Sequence, residues 1–384
     1  MKPAVRCENI TPFIVMEILE KIHKMEARGI DVIHMEIGEP DFNVPECVNQ
    51  VSMDALSQKQ THYTHSLGDI RLREAISEYH ANTYGTFVDS DHIIVTSGTS
   101  PAMLLLFSAL INPGDEVIIS DPHYACYANF INFVQGVPVT VPVFEEQGFV
   151  YTPEAIQAKI TPKTRAIFIN SPSNPTGTVI PKERMQQIVD IAVANNLYII
   201  SDEIYHGLVY EGKEHSILEF TDKAFVLNGF SKLFAMTGFR LGYLISPPQF
   251  IRAIQVLQQN FFICANSIAQ LAGVAALKDS GQETSAMKER YNRRRIYMID
   301  RLKKMGFHIK VEPTGAFYVF VNAKHISNDS YALALDILEK AHVGVTPGID
   351  FGANGEGFLR FSYTNSMANL KIGLDRMEGY LKDL

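Results

Sequence analysis

The sequence predicts an α/β fold: a three-layer large domain on a mostly parallel sheet, with a smaller α+β domain beside it. Between residues 92 and 245, short apolar runs alternate with helical patterns. Strands apolar on both faces belong in a parallel sheet covered by helices on either side. After about Gln282 the texture changes to a long charged helix followed by shorter strands and helices. A chain of 384 residues also exceeds what a single core ordinarily serves.

Taken in order, residues 13–28 set Ile14, Val15, Ile18, Leu19, Ile22 and Met25 at helical spacing, with Gly29 placed to end the helix. The loop IGEPDF (37–42) follows, then helical patterns at 45–58 and 69–84. Strand-like runs fall at 92–96, 116–120, 138–143, 165–169, 197–200, 224–228 and 240–245. Helical patterns at 101–110, 125–134, 153–160 and 182–195 separate most of the earlier ones. The apolar stretch 261–277 is broken by Asn266, Ser267 and Gln270, so it reads as a buried helix pair and not a membrane span. A helix at 282–304, strands near 308–311, 315–321 and 357–363, and helices at 330–341 and 366–382 complete the chain, the last capped by Ser366. The predicted division gives 46–285 to the large domain, and 1–45 with 286–384 to the small one.

A net charge of -8, from 42 acidic against 34 basic residues, argues against general affinity for nucleic acid or anionic membranes. Cys7, Cys47, Cys126 and Cys264 are scattered, without a CxxC pair, and no histidines stand at metal-ligand spacing. Charges interrupt the apolar residues of the first 24 positions, unlike a signal peptide. The expectation is a cytoplasmic protein with reduced thiols, no metal and no membrane span.

Ligands of open parallel sheets sit beyond the carboxyl ends of the strands. There the sequence places SGTS (97–100) before Pro101, a cradle of small residues and free helix N–H groups suited to phosphate. NSPSNPTG (170–177) follows one strand, SDEIYH (201–206) puts Asp202 at the end of the next, and NGFSK (228–232) delivers Lys232. A phosphate site, an amide, a carboxylate and an amine thus arrive on one edge. The Gly-rich GIDFGANGEG at 348–357 follows no βαβ start and reads as a plain loop, and His62, His65, His123 and His206 read as lining or surface residues.

With these motifs the chain resembles the class I/II aminotransferases of pyridoxal-phosphate fold type I. The resemblance rests on GFSKLFAMTGFRLG (229–242), with SPSNPTG (171–177), SDEIY (201–205), YTHSLGDIRLREAI (63–76) and RFS (360–362) in the family's order. It implies that Lys232 holds pyridoxal 5'-phosphate as a Schiff base and shuttles the substrate's α-proton, while Asp202 keeps the pyridine nitrogen protonated. Asn174 and Tyr205 would bond the ring's phenolic oxygen, and Tyr124 would stack on the ring. Gly98, Thr99, Ser100 and Arg240 would hold the phosphate, with Ser231 as a helper. Arg360 would grip the substrate carboxylate as a fork, joined by Asn174 and a backbone contact from Gly38. Tyr63 would reach the phosphate of a neighbouring subunit, implying a homodimer with shared sites. Two positions depart from the family pattern: Gly229 stands where many relatives carry Ser or Thr, and Tyr124 where the aspartate-specific branch often has Trp.

The reaction implied is transfer of an amino group from an L-amino acid to a 2-oxo acid by a ping-pong mechanism. No second cation for a distal carboxylate is evident in the motif segments, while Ile14, His123, Tyr124 and Phe239 fall near the expected pocket, so a neutral or aromatic donor is expected. A C–S lyase running β-elimination, or a γ-displacement, would use the same lysine. A non-catalytic ligand-sensing domain would share the fold but is ordinarily fused to a DNA-binding module. A nicotinamide-linked dehydrogenase is disfavoured because no GxGxxG opens the first βα unit.

Overall fold

The computed structural model describes residues 3–8 and 10–384. Its main sheet has seven strands, in the spatial order Ile93–Thr96, Gly242–Ile245, Ala224–Gly229, Tyr198–Asp202, Thr164–Asn170, Glu116–Asp121 and Val137–Pro142. Alternation along the strands sends side chains to two separate cores. Ile167, Ile199 and Val226 join one core with residues of the helices Ile70–Tyr84, Lys182–Ala194 and Ser267–Asp279. Their neighbours Phe168, Ile200 and Phe225 join another, with the helices Thr99–Leu110, Cys126–Phe133 and Pro248–Phe261. These are the predicted three layers.

Gly242–Ile245 alone runs antiparallel to both of its neighbours. The chain leaves Gly229 and turns back through the short 3₁₀ segment Thr237–Phe239, without the crossover helix that a parallel return needs. Gly229 pairs with Gly242 across these two strands. A Cβ there would lie 2.9 Å from the Leu241 carbonyl oxygen and 3.0 Å from the Gly242 Cα, so the two strands leave no room for Ser or Thr without a shift.

A third core gathers Ile18 and Ile22 of the helix Ile14–Glu26 with residues of Gly281–Lys304, Ser330–Ala341 and Met367–Lys382. These pack against a three-stranded antiparallel sheet ordered Thr346–Pro347, Phe358–Ser362, Tyr318–Asn322. Ser366 caps the last helix through the Asn369 N–H, as expected. The strand expected at 308–311 is reduced to one bridge between His308 and Asn322, on the edge strand Tyr318–Asn322. Two-residue strands at Ile33–His34 and Val343–Gly344 pair in parallel, too short to leave a periodic signal.

His206 is a correction. It lies fully inside the protein, its Nδ1 2.8 Å from the Tyr84 hydroxyl and 3.5 Å from Glu203 Oε2. Glu203 is equally buried, and its Oε1 accepts from Ser201, Ser216 and the Ile217 N–H. Among the described residues no helix is long and apolar enough to cross a membrane, and no cluster of three or more potential metal ligands occurs.

Candidate active site

The carboxyl ends of the central strands and the second sheet meet at a cavity of about 410 Å³. It brings together Gly38, Thr99, Ser100, Tyr124, Asn174, Asp202, Tyr205, Ser231, Lys232, Arg240 and Arg360, eleven of the thirteen expected site residues. Gly98 supports the cavity from behind, and Tyr63 stands outside it. Tyr63 is 80 % exposed, beside His62 and Ile70 in a separate surface depression.

Lys232 donates from Nζ to the Gly38 carbonyl at 2.7 Å. Burial pushes its ammonium down to about 8; the Glu39 and Asp202 carboxylates oppose that fall, and Arg360 and Arg240 add to it. Asp202 closes its strand with Oδ2 accepting from the Tyr127 hydroxyl at 2.7 Å and Oδ1 from the Ile204 N–H at 3.1 Å. Burial raises its carboxyl to about 6, against the pull of the Tyr127 bond.

Arg240 has a left-handed backbone with φ 50, and its Nη1 donates to the Thr237 carbonyl at 3.0 Å. That places its guanidinium against Gly98, where a Cβ would come within 2.6 Å of Nη2. Gly98 itself has φ +99, a conformation L side chains rarely adopt, and it precedes the helix Thr99–Leu110 with its unpaired first-turn N–H groups. One cation and one helix start thus converge at the same spot.

Arg360 is buried in the strand Phe358–Ser362. Nη1 donates to Asn174 Oδ1 at 2.8 Å, and Nη2 to the Glu36 carbonyl at 2.5 Å and Thr346 Oγ1 at 3.1 Å. Its Nε is buried without a partner. The guanidinium carbon lies 4.3 Å from the Tyr318 ring centre and 4.9 Å from that of Phe351. Asn174 is aimed by its loop, where the Asn174 N–H donates to Asn170 Oδ1 and Asn170 Nδ2 donates to the Asp202 carbonyl.

Several site residues escaped the sequence reading. Tyr127 follows Tyr124 by three positions, a helical spacing that was available as a signal, since its helix begins at Cys126. Tyr318, whose hydroxyl lies 2.9 Å from that of Tyr205, carried no motif. Of the four residues expected near the substrate pocket, only Tyr124 lines it. Ile14 packs against the third core and Phe239 against the first, and His123 is buried, stacked on Tyr127. The apolar wall consists instead of Phe13, Val15, Met16, Leu19 and Ile37.

A buried amine and carboxylate at one sheet edge, a cradle suited to an anion and a fixed guanidinium form a site that can hold a small anionic molecule and exchange protons with it. Comparison with known proteins narrows this. Residues 30–377 match the family model for aminotransferase class I and II. A (5-formylfuran-3-yl)methyl phosphate transaminase of Methanocaldococcus jannaschii is 43% identical over 98% of both chains. An aspartate aminotransferase of Pyrococcus horikoshii is 40% identical over 96% of this chain and 94% of its own. The crystal structure of the Thermus thermophilus aspartate aminotransferase with maleate superposes with a TM-score of 0.95 at 36% identity, covering 99% of each chain. The chain belongs to the class I and II aminotransferase family, whose members use pyridoxal phosphate, and it has the aspartate aminotransferase fold.

Proposed function

We propose that this aminotransferase carries pyridoxal 5'-phosphate on Lys232 and takes its amino group from an L-amino acid with a large apolar or aromatic side chain, passing it to a 2-oxo acid in a ping-pong cycle. The observation that carries the donor reading is the set of charges around the cavity. Its cations are Lys232, Arg240 and Arg360, and the remaining wall toward the first helix is apolar. A dicarboxylate donor needs a further cation for its distal group, and none lines the cavity among the described residues. Burying such a carboxylate against apolar side chains would cost several kcal/mol.

The residues present fit the cofactor. Thr99, Ser100 and Arg240 would hold the phosphate, in the space that Gly98 keeps free of a Cβ. Asp202 would hold the proton on the ring nitrogen, with Tyr127 donating to its other flank. Tyr205 and Asn174 would bond the phenolic oxygen, with Tyr124 against the ring and Ser231 close to the phosphate. When bound, the cofactor supplies an electron-withdrawing ring that stabilises negative charge at the donor's α-carbon. Lys232 Nζ, once the donor's amino group has replaced it on the cofactor, would take the proton from that carbon, and burial, which pulls the free amine down to about 8, favours its neutral form. Arg360, with its unpartnered Nε and its anchored Nη atoms, would orient the α-carboxylate. The apolar wall would exclude water from the reacting carbon.

The site is read as shared in a homodimer, supported by the outward position of Tyr63. Mixing Lys232→Ala with Tyr63→Phe protein under subunit exchange should then restore activity. Exchange without recovery, each variant being defective alone, would count against shared sites. The donor reading is tested by single amino acids in the half-reaction. Methionine, leucine, phenylalanine and tyrosine should outpace aspartate; aspartate faster by tenfold or more in kcat/KM would overturn the reading. Borohydride reduction and peptide mapping should place the pyridoxyl label on Lys232, and a label on any other lysine would refute the attachment.

A further inference from the structure

The first helix lends Val15, Met16 and Leu19 to the cavity wall, yet it has no cap of its own. Phe13 occupies the N-cap position, and its side chain makes no capping bond. The cap comes from the far end of the chain. Asp350 Oδ1 accepts from the Ile14 N–H at 2.9 Å and Oδ2 from the Val15 N–H at 3.3 Å. On the other side of Phe13, Thr11 is tied to Asn129 of the helix Cys126–Phe133 by three bonds. Its N–H and Oγ1 both donate to Asn129 Oδ1 at 3.1 Å, and Asn129 Nδ2 donates to its carbonyl at 3.1 Å. Between the two anchors the Phe13 ring stands edge-on to Tyr124, with centroids 5.8 Å apart and an interplanar angle of 86°.

The loop that carries Asp350 is the Gly-rich segment that reads as plain in the sequence. It forms the 3₁₀ turn Gly348–Phe351, where Phe351 flanks Arg360 and its carbonyl accepts from the His123 N–H at 2.8 Å, next to Tyr124. One loop therefore touches the first helix, the Tyr124 segment and the substrate-gripping arginine.

We propose that Asp350 and Asn129 are positioning residues that fix Phe13 as one wall of the donor side-chain subsite, so that preference for large apolar donors is set by groups that do not touch the donor. This rests on the donor reading above. An aromatic ring on an unanchored segment must be ordered each time a side chain packs on it; two anchors meet that entropic cost in advance. A large side chain gains from the preformed wall, whereas alanine, with one methyl, gains little.

The test uses the cofactor-loaded enzyme with L-phenylalanine and L-alanine in the half-reaction. Asp350→Ala and Asn129→Ala should each lower kcat/KM for phenylalanine about tenfold, through KM, with alanine changed less than about twofold. Asp350→Asn, which keeps one carbonyl acceptor, should fall between wild type and Asp350→Ala. In a Phe13→Ala background neither anchor variant should alter the phenylalanine-to-alanine ratio further. Hydrogen exchange should also quicken at residues 11–19 in both anchor variants. Equal losses for both donors, or an unchanged ratio, would overturn the proposal, and half-buried Asn129 gives that answer even if Asp350→Ala fails to fold. A wild-type enzyme that prefers aspartate overturns the donor reading and this inference with it; one that prefers phenylalanine through every anchor variant overturns the anchoring alone.

Discussion

The wall that the seven-stranded sheet gives to the cavity takes its residues from successive strand ends: Asn170, Asp202 and Gly229 all finish at one edge, and Asn174 and Lys232 follow within a few positions. The opposite wall is gathered from the two ends of the chain. Arg360 bonds the Glu36 carbonyl across 324 positions, and Asp350 caps Ile14 across 336. Register places the first set, since each strand is pinned on both sides by its neighbours. Hydrogen bonds to backbone place the second. On the proposed reading the sheet edge fixes groups that would do chemistry, and the joined chain ends fix groups that would choose and hold the substrate. Substitutions on the two walls should therefore show in different kinetic constants.

Asp202→Asn should break the sheet wall most. An amide cannot hold the ring proton as a carboxylate does, so the single-turnover rate of α-proton abstraction should fall well over tenfold, more than about 1.4 kcal/mol. Donor affinity should hardly change. A loss below tenfold would make Asp202 a structural residue. Arg360→Lys should do the reverse. An ammonium has three N–H donors and cannot keep the bonds to Asn174, the Glu36 carbonyl and Thr346 while also holding a substrate carboxylate. KM for the donor should rise about tenfold, the worth of one charge-assisted hydrogen bond, with kcat within a few-fold. If both variants lowered kcat and raised KM alike, the division between the walls would not hold.

A smaller effect sharpens the boundary at Lys232, which touches both walls through the Gly38 carbonyl. Its amine lies near 8 and is neutral above that value, so capture of pyridoxal phosphate by apoprotein should quicken from pH 7 to 9 and then level. Glu39, whose Oε1 accepts from Thr237 at 2.6 Å, raises that value. Glu39→Gln should shift the midpoint to lower pH; a shift upward would show that Glu39 does not act on the amine.

The sheet wall was legible in the sequence because its residues sit inside local runs: SGTS, NSPSNPTG, SDEIYH and NGFSK each follow an apolar strand. The three layers were legible for the same reason, in the alternation of strands with helices. The other wall was legible only where a short motif, RFS, marked Arg360. Tyr318, Thr346 and Asp350 act through contacts set by tertiary packing, and no local pattern encodes a bond across hundreds of positions. Phe13, at the N-cap of the first helix, lines the cavity and Ile14 does not, because the pattern fixes the phase of that helix only approximately. The antiparallel direction of Gly242–Ile245 was likewise hidden, since an apolar run carries no sign of its direction.

The buried pair Glu203 and His206 bears on how the protein tolerates acid and alkali. Burial pushes the Glu203 carboxyl up to about 8 and the His206 imidazole down to about 3, so both are neutral in the middle of the range. In the unfolded chain the carboxyl releases its proton near 4.5, and the imidazole gains one below 6.5. As pH rises from 4.5 toward 8 the unfolded chain alone gains from ionising Glu203, and stability declines. As pH falls from 6.5 toward 3 it alone gains from protonating His206, and stability declines again. The pair favours the fold most in mildly acidic solution, whereas the free amine of Lys232 grows with alkali. Durability and reactivity thus draw the working pH in opposite directions, and Glu203→Gln, which cannot ionise, should move the thermal midpoint upward on the alkaline side.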